Sequence, residues 1–247
     1  MRLPEFPVLE RLQNDFVVLR QLVRGMPRDV GHAQQLQAFY GPQAAHYDEF
    51  RDRLLPGRRE LIEKLPLPQD ARVVELGGGT GRNLGFFGDR IDSIASFDIV
   101  DLCPALLDVA RSRTRDKSQI HVIEADATTY RPVAPADCVY FSYALTMIPN
   151  WRAALSNAWA MLKPGGILGV VDFCTPEQTA SPSRAIASFS RAFWTRWFAH
   201  DGVRLDARHR AMLRQLFPAN DLIEHRARVP YLPAVRVPYY VFVGRKT

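Results

Sequence analysis

The glycine-rich stretch at residues 72–83, R-V-V-E-L-G-G-G-T-G-R-N, is the feature that most restricts how this chain can fold. A short apolar run ends in a glutamate, and glycines follow at positions 77, 78, 79 and 81. Glycine lets the backbone turn sharply and lets a ligand approach it closely, so the stretch predicts a strand that turns directly into a helix. In α/β proteins such turns lie at the carboxyl ends of strands, where ligands bind.

Two familiar glycine motifs do not fit this stretch. A dinucleotide-binding G-x-G-x-x-G would need a glycine where Arg82 stands if it began at Gly77, and where Leu84 stands if it began at Gly79. A Walker loop would need G-K-S or G-K-T, which does not follow. The spacing that fits is E-x-G-x-G-x-G, which begins at Glu75.

From residue 72 onward, short β-rich runs alternate with helical segments. This alternation predicts a parallel sheet with crossover helices, and two late runs without a helix between them predict a final antiparallel strand. The predicted strands are 72–76, 94–99, 120–124, 136–141, 167–173, 221–229 and 239–245, and the predicted helices are 82–88, 104–113, 151–162 and 183–199. The expected fold is therefore α/β and Rossmann-like, with a seven-stranded, mostly parallel sheet and helices on both faces.

The first fifty residues follow a different pattern. Apolar residues recur at helical spacing over 8–23, and a second helical stretch at 33–50 is interrupted by Gly41-Pro42. We interpret residues 1–50 as an N-terminal helical extension or lid. Residues 51–247 are interpreted as the main domain, with a helical insertion near 176–218.

Two acids follow the second and third predicted strands and face the same crevice. Asp101 comes twenty residues after Gly81, where a carboxylate can accept both hydroxyls of a ribose. Asp126 follows the third strand in the sequence E-A-D-A. Each acid alone would be an ordinary residue at the end of a strand. Together with Glu75, however, both acids are expected at the same edge of the sheet as the glycine loop.

These positions, throughout residues 72–173, resemble the class I S-adenosylmethionine-dependent methyltransferases. The resemblance implies that Glu75 organises the glycine loop and the methionyl amine, that Asp101 holds the ribose, and that Asp126 faces the adenine amino group. S-adenosylmethionine carries no phosphate but is cationic at sulfur and amine, which suits several acids and an approachable backbone. The predicted cofactor-binding residues are Glu75, Gly77, Gly78, Gly79, Gly81, Asn83, Asp101, Leu102, Asp126, Ala127 and Ser142.

The segment after the fourth strand separates classes of acceptor. Methylases of exocyclic nucleobase amines carry Asn-Pro-Pro-Tyr or Asp-Pro-Pro-Tyr there as a clamp for a flipped base. This chain has F-S-Y-A-L at 141–145, so a DNA amine is not expected. Segments 47–62, 142–149 and 231–246 instead resemble the N-methyltransferase of bacterial betaine-lipid synthesis. That family converts diacylglyceryl-homoserine to diacylglyceryl-trimethylhomoserine.

Transfer to an amine needs positioning and electrostatics more than covalent catalysis. A trimethylated product is a quaternary ammonium, which suits the face of a tyrosine ring. The candidates are Tyr143, Tyr47 and Tyr239, of which Tyr239 is the one we expect to be a packing residue. His46 is the candidate proton acceptor. A homoserine carboxylate would favour an arginine fork, and the sequence does not rank Arg51, Arg58 and Arg236 for that role.

The net charge and one aromatic segment of the sequence indicate contact with a membrane surface. The net charge of +6 favours anionic partners, either nucleic acid or a membrane face. Residues 186–198, I-A-S-F-S-R-A-F-W-T-R-W-F, are typical of an interfacial helix, although helices that pack on a domain share this pattern. Because no recognised RNA module accompanies the charge, we expect a lipid substrate, no nucleic acid, and a cytoplasmic protein peripheral to the inner face of the membrane.

Three cysteines and six histidines show no metal-binding spacing, so no metal is expected. No apolar run approaches the ~20 residues of a membrane-spanning helix, and the first residues lack the apolar core of a secretory signal. Two alternatives stay open. One is another small-molecule methyltransferase, acting on phosphatidylethanolamine or a quinone precursor, and the other is a non-catalytic S-adenosylmethionine-binding subunit. The oligomeric state is not predicted.

Overall fold

The computed structural model describes residues 26–27, 30–43, 47–175, 203–229 and 232–247. Its strands form one seven-stranded sheet in the order β3-β2-β1-β4-β5-β7-β6. The strands are β1 Ala71–Leu76, β2 Ile94–Asp101, β3 Ile120–Glu124, β4 Ala136–Ser142, β5 Leu162–Phe173, β6 Ala219–Val229 and β7 Leu232–Arg245. Pairs among β1 to β5 are parallel, and β7 runs antiparallel to both β5 and β6. The predicted Rossmann-like sheet with an antiparallel strand is confirmed.

Six α-helices are present in the described part of the chain. They are α1 His32–Tyr40, α2 Tyr47–Leu54, α3 Arg58–Lys64, α4 Pro104–Arg113, α5 Trp151–Met161 and α6 Arg208–Leu216. Local signals set some helix starts: Pro104 stands at the beginning of α4, and the Asn150 side chain accepts the Ala153 N–H at the start of α5. None of the described helices is long and apolar enough to cross a membrane.

Apolar layers cover both faces of the sheet. One layer contains Leu61 and Ile62 of α3, and the other contains Leu155 of α5 and Leu213 of α6. Parallel strands between two such layers are buried on both sides, which is why β4 reads as a continuous buried run instead of an alternating one. Burial on both sides leaves the ends of the strands as the place where polar groups gather.

The structure corrects several predicted elements. The helix predicted at 82–88 is replaced by two 3₁₀ turns, Arg82–Phe86 and Gly88–Ser93, because Gly88 has a φ of +55°, a left-handed conformation that an α-helix does not accommodate. The predicted interruption of the helical stretch 33–50 at Gly41-Pro42 is confirmed, since a turn at Gly41–Gln43 follows α1 and precedes α2. The helices predicted at 8–23 and 183–199 lie outside the described residues.

Strand β7 is longer than the predicted 239–245, since it begins at Leu232. Its last residue paired with β5 is Tyr239, so Pro238 lies at the end of that pairing, where its carbonyl still accepts the Cys174 N–H. A proline is tolerated in a strand at such a position. The predicted boundary between residues 50 and 51 falls inside α2, and the division into a lid and a main domain stays a prediction.

Candidate active site

A cavity of about 390 Å³ opens at the carboxyl edge of the sheet. Its floor comes from the loops that follow β1, β2, β3 and β4, and its roof comes from α1, α2 and the start of α3. The cavity brings together ten of the predicted residues: Gly77, Gly78, Gly79, Asn83, Asp101, Leu102, Asp126, Ala127, Ser142 and Tyr143. Glu75 and Gly81 are not part of its lining.

The glycine loop depends on backbone conformations and clearances that other residues lack. Gly77 has a φ of +74°, and a Cβ at this position would lie 2.3 Å from the Cβ of Ala144. Gly79 has a φ of +53°, and its N–H donates to Asp101 Oδ2 over 2.9 Å. The loop is therefore held tightly between the end of β2 and the segment after β4, with its backbone facing the cavity.

Asp101 connects the glycine loop to the start of α4. Its Oδ2 accepts the Gly79 N–H and its Oδ1 accepts the Cys103 N–H, each at 2.9 Å. Burial raises the pKa of Asp101, and these backbone N–H groups oppose the rise. Each carboxylate oxygen can accept a second hydrogen bond, so both oxygens remain able to meet the two hydroxyls of a ribose.

Glu75 lies beneath the glycine loop and is buried, with 1% of its surface exposed. Its Oε1 accepts a hydrogen bond of 2.6 Å from Asn83 Nδ2. Burial raises the pKa of Glu75 to about 7, and the bond from Asn83 opposes the rise. The buried Tyr140 hydroxyl also lies close enough to Glu75 to oppose the rise in its pKa, although no well-formed hydrogen bond reaches Glu75 Oε2 or Asn83 Oδ1 among the described residues. Buried acceptors without a well-placed donor are costly, and Asn83 lines the cavity with Glu75 directly behind it, so this corner fits a ligand that carries a cationic amine.

The remaining predicted cofactor residues form the rim and the walls. Asp126 is exposed, and its Oδ1 accepts the Thr128 N–H over 2.7 Å. The hydroxyl of Ser142 is buried without a partner in the described part of the chain. Leu102 and the buried Ala127 contribute apolar wall, together with residues that sequence reasoning missed: Leu36, Leu106 and Met147. Only the helical spacing of the stretch at 33–50 could have indicated Leu36.

Tyr143 lies on the cavity wall in an uncommon backbone conformation, with a φ of +55°. Its hydroxyl donates to the Pro56 carbonyl over 2.6 Å, and its ring packs edge-on against Phe173 at 4.6 Å between centroids. Because the hydroxyl is engaged by the backbone, the ring is the part of Tyr143 that is available to a ligand. A strained non-glycine residue in a cavity wall is a feature of functional sites.

The other candidates from the sequence are placed differently. His46 lies outside the described residues, and so does the side chain of Tyr47, which begins α2. Tyr239 is absent from the cavity lining: it stacks on His225 at 5.1 Å and packs against Gly57. Tyr239 is therefore the packing residue that the sequence led us to expect.

The structure ranks the three candidate arginines. Arg58 lines the cavity, Arg236 is exposed on β7, and the side chain of Arg51 lies outside the described residues. Arg58 is 7% exposed, and its Nη2 donates to Asp52 Oδ1 over 2.5 Å. Asp52 Oδ2 also accepts two hydrogen bonds from Arg82, at 3.0 and 2.8 Å. Two guanidinium groups thus share one carboxylate, which leaves a positive charge at the cavity.

Helix α2 is fastened to the glycine loop by its two aspartates. Burial works to raise the pKa of Asp52, but the hydrogen bonds from Arg82 and Arg58 outweigh it and lower the pKa. Asp48 accepts a hydrogen bond of 2.7 Å from the Thr80 hydroxyl and one of 2.5 Å from Arg113 Nη2. The sequence Y-D-E-F-R-D-R signalled a charged helix but did not indicate these partners.

Comparison with known proteins identifies what this arrangement resembles. Residues 47–226 match the model of a family described as a methyltransferase domain. The chain is 28% identical over 148 residues to the trans-aconitate 2-methyltransferase of Methylobacterium radiotolerans, an alignment covering 58% of this chain and 54% of that protein. It is also 28% identical over 170 residues to the ubiquinone/menaquinone biosynthesis C-methyltransferase of Pseudomonas putida, covering 65% of this chain and 66% of that protein. The chain therefore spans less than two thirds of either relative.

Among solved structures, the chain is similar to the N-methyltransferase NodS from Bradyrhizobium japonicum in complex with S-adenosyl-L-homocysteine. The TM-score is 0.57 at 16% identity, and the match covers 93% of this chain and 98% of that one. This likeness concerns the fold.

Proposed function

Since the chain belongs to a family of methyltransferase domains, which use S-adenosylmethionine, we propose that it methylates the amine of a lipid headgroup that also carries a carboxylate. The acceptor that fits best is diacylglyceryl-homoserine, and the product is diacylglyceryl-trimethylhomoserine. The observation that carries the choice of a carboxylate-bearing acceptor is the buried Arg58, which shares its single carboxylate partner with Arg82. One relative, moreover, is named for trans-aconitate, a carboxylate.

The residues at the cavity floor fit the cofactor on structural grounds. The Asn83 side chain on the cavity wall, with the Glu75 carboxylate behind it, suits the methionyl amine, and the carboxylate of Asp101 suits the ribose hydroxyls. Asp126 at the rim is assigned to the adenine amino group, with Leu102 and Ala127 beside it. S-adenosylmethionine supplies a methyl group activated by its sulfonium sulfur. The protein's own contribution is to hold both reactants in a cavity roofed by α1 and α2.

Arg58 is placed to orient the acceptor. Its guanidinium acts electrostatically on both Glu75 and Tyr143, lowering the pKa of each against the larger effect of burial. A carboxylate bound to Arg58 would therefore bring the attached amine close to the ring of Tyr143. As the amine becomes an ammonium, the face of that ring stabilises the positive charge. His32 also lines the cavity, but it lies within the electrostatic reach of Asp126, on the adenine side.

A second candidate is methylation of a quinone precursor, because the similarity to the Pseudomonas putida C-methyltransferase extends over 65% of this chain. The two candidates differ in what Arg58 has to do. An aromatic precursor without a carboxylate leaves Arg58 without a role in binding, whereas an amino-acid headgroup needs it.

The test is a methyl-transfer assay with purified protein, labelled S-adenosylmethionine, and three separate acceptors: diacylglyceryl-homoserine, phosphatidylethanolamine and a quinone precursor. We expect label in the homoserine lipid. Arg58→Lys should raise the KM for that lipid by about tenfold or more, because lysine lacks the bidentate fork, while cofactor affinity stays within about twofold. Arg59→Lys is the matched control, since Arg59 is its exposed neighbour on α3.

Label in the quinone precursor alone would reject the lipid acceptor. It would not affect the conclusion that the chain is a methyltransferase domain. Label in phosphatidylethanolamine, with Arg58→Lys and wild type equally active, would show that the acceptor is a lipid amine without a carboxylate and that Arg58 does not bind the headgroup.

A further inference from the structure

Three exposed arginines lie on the hairpin of β6 and β7, where it extends past the rest of the sheet. The last pair between β5 and β7 joins Phe173 and Tyr239. Strands β6 and β7 stay paired beyond that point, with Arg226 opposite Pro238 and Arg228 opposite Arg236. This part of the hairpin therefore projects from the carboxyl edge of the sheet, the edge that carries the cavity. We call Arg226, Arg228 and Arg236 the hairpin arginines.

The hairpin arginines share one face. Positions 224, 226 and 228 of β6 are exposed while the positions between them are half-buried, and Arg236 stands directly opposite Arg228. Like charges directly opposite each other in an antiparallel pair destabilise it. Glu224, on the same face, is occupied by an ion pair with Arg210 of α6. Within the described ranges, none of the three arginine side chains forms an ion pair or a hydrogen bond of its own.

We propose that the hairpin arginines are a docking surface for an anionic lipid bilayer. Guanidinium groups pair well with lipid phosphates, which would offset the repulsion between Arg228 and Arg236. The position of the surface, on the same edge as the cavity, brings the cavity to the headgroup layer. The proposal deepens the proposed function, because a lipid acceptor must be reached at a bilayer, but the surface itself does not depend on which headgroup is methylated.

The sequence between the arginines favours a bilayer over a polynucleotide. Residues 229–235 read V-P-Y-L-P-A-V and contain no charged residue. Apolar and aromatic residues flanked by arginines are the composition found at the boundary between headgroups and acyl chains. A surface for a polynucleotide would follow the phosphate backbone with further cations and polar groups.

The test is sedimentation with phosphatidylcholine vesicles that contain about 30% phosphatidylglycerol, since anionic lipid attracts basic residues. Neither lipid carries an amine that can accept a methyl group, so binding is measured independently of the acceptor. The triple variant R226Q/R228Q/R236Q should lose about a hundredfold in partitioning onto these vesicles. The matched control R72Q/R115Q/R245Q removes three exposed arginines at the opposite edge of the sheet and should lose no more than about threefold.

A folding defect is separable from lost docking. The single variant R236Q relieves the repulsion from Arg228, so it should melt at the wild-type temperature or about 1 °C higher while binding anionic vesicles more weakly. Equal losses in the two triple variants would overturn the proposal in favour of a general charge effect. A hairpin variant that keeps vesicle binding but loses binding to a single-stranded oligonucleotide would overturn the choice of a bilayer. Intact docking combined with failure to methylate any lipid amine would reject the proposed function alone.

Discussion

Burial of Glu75 makes its carboxyl group ionise near neutral pH. Its pKa is raised to about 7 by burial, so a large share of ligand-free molecules carry a neutral Glu75 at that pH. A cationic amine near Asn83 and Glu75 favours the charged carboxylate. The affinity for S-adenosylmethionine should therefore rise as pH increases from about 5.5 to about 7.5, and Glu75→Gln should flatten that rise in calorimetric titrations.

The free energy of unfolding without cofactor should change in the opposite direction. An unfolded chain ionises Glu75 near its ordinary value of 4.5, whereas the folded protein does so only near 7, so the free energy of unfolding falls as pH rises through this window. Asp172, whose pKa burial raises to about 6, acts with the same sign in wild type and variant alike. Only the difference in free energy of unfolding between wild type and Glu75→Gln therefore reports on Glu75.

For the calorimetric titrations, a wild-type affinity for S-adenosylmethionine that does not change with pH would contradict the placement of its amine near Glu75.

Substitutions of Tyr143 distinguish the contribution of its ring to activity from that of its hydroxyl group. Tyr143→Phe removes the bond to the Pro56 carbonyl and should lower the melting temperature by about 2–4 °C, with most of kcat retained. Tyr143→Ala and Tyr143→Gly both remove the ring and should lose most of kcat for an amine acceptor. The glycine variant should be the more stable of the two, because the φ of +55° suits glycine. A Phe variant as inactive as Ala would mean that the hydroxyl, not the ring, takes part.

At the scale of single residues, the sequence predicted the floor of the cavity better than its roof. The glycines, Asp101 and Asp126 were predictable because their spacing follows directly from strands that end at a common edge. Arg58 could not be ranked, because its role depends on Asp52 and on the bond between Asp52 and Arg82, thirty residues further along the chain. Contacts across such separations are set by packing and leave no periodic signal.

At the scale of elements, the strands of the sheet could be predicted from the sequence. The turns between β1 and β2, which contain glycine, could be predicted less well. Strands β1 and β4 are largely apolar, buried runs, which the sequence shows directly. The helix predicted at 82–88 is a 3₁₀ turn at Arg82–Phe86 followed by the left-handed Gly88, a conformation that the apolar pattern does not indicate. The length of β7 was underestimated because prolines at 233 and 238 look like strand ends unless the neighbouring strand is known to stop first.

Helix α2 should act as a clamp on the glycine loop. Asp48→Asn weakens the attachment of α2 to Thr80 and Arg113, and the dissociation rate of the cofactor should rise about fivefold, equivalent to ~1 kcal/mol. Asp108→Asn is the matched control, because Asp108 pairs with Arg111 on the same helix as Arg113 but outside the cavity. Stopped-flow measurement of cofactor release checks the difference. Identical rates in the two variants would show that α2 does not hold the cofactor in place.

At the scale of the whole molecule, charge and the position of the cavity support the same interpretation. The chain carries a net charge of +6, Asp101 and Asp126 lie at the cavity floor, and the hairpin arginines project from the same edge. In the proposed function these two acids face a cationic cofactor, whereas the hairpin arginines are exposed to the outside. An anionic bilayer would thus attract the edge of the molecule where we propose that methyl transfer takes place, without competing for the site inside it.

This separation predicts how salt should act on turnover. Raising ionic strength from about 50 mM to about 300 mM shortens the Debye length from roughly 14 Å to roughly 6 Å, which weakens attraction between an exposed surface and a bilayer. Methylation of diacylglyceryl-homoserine in vesicles with anionic lipid should therefore fall about tenfold or more, whereas methylation of a short-chain, monomeric acceptor should change by no more than about twofold. Initial rates on both acceptors, with neutral vesicles as the control, provide the measurement. A parallel fall on both acceptors would place the salt effect in the cavity, on the pairs that Arg58 and Arg82 make with Asp52, and would remove the bilayer from the explanation.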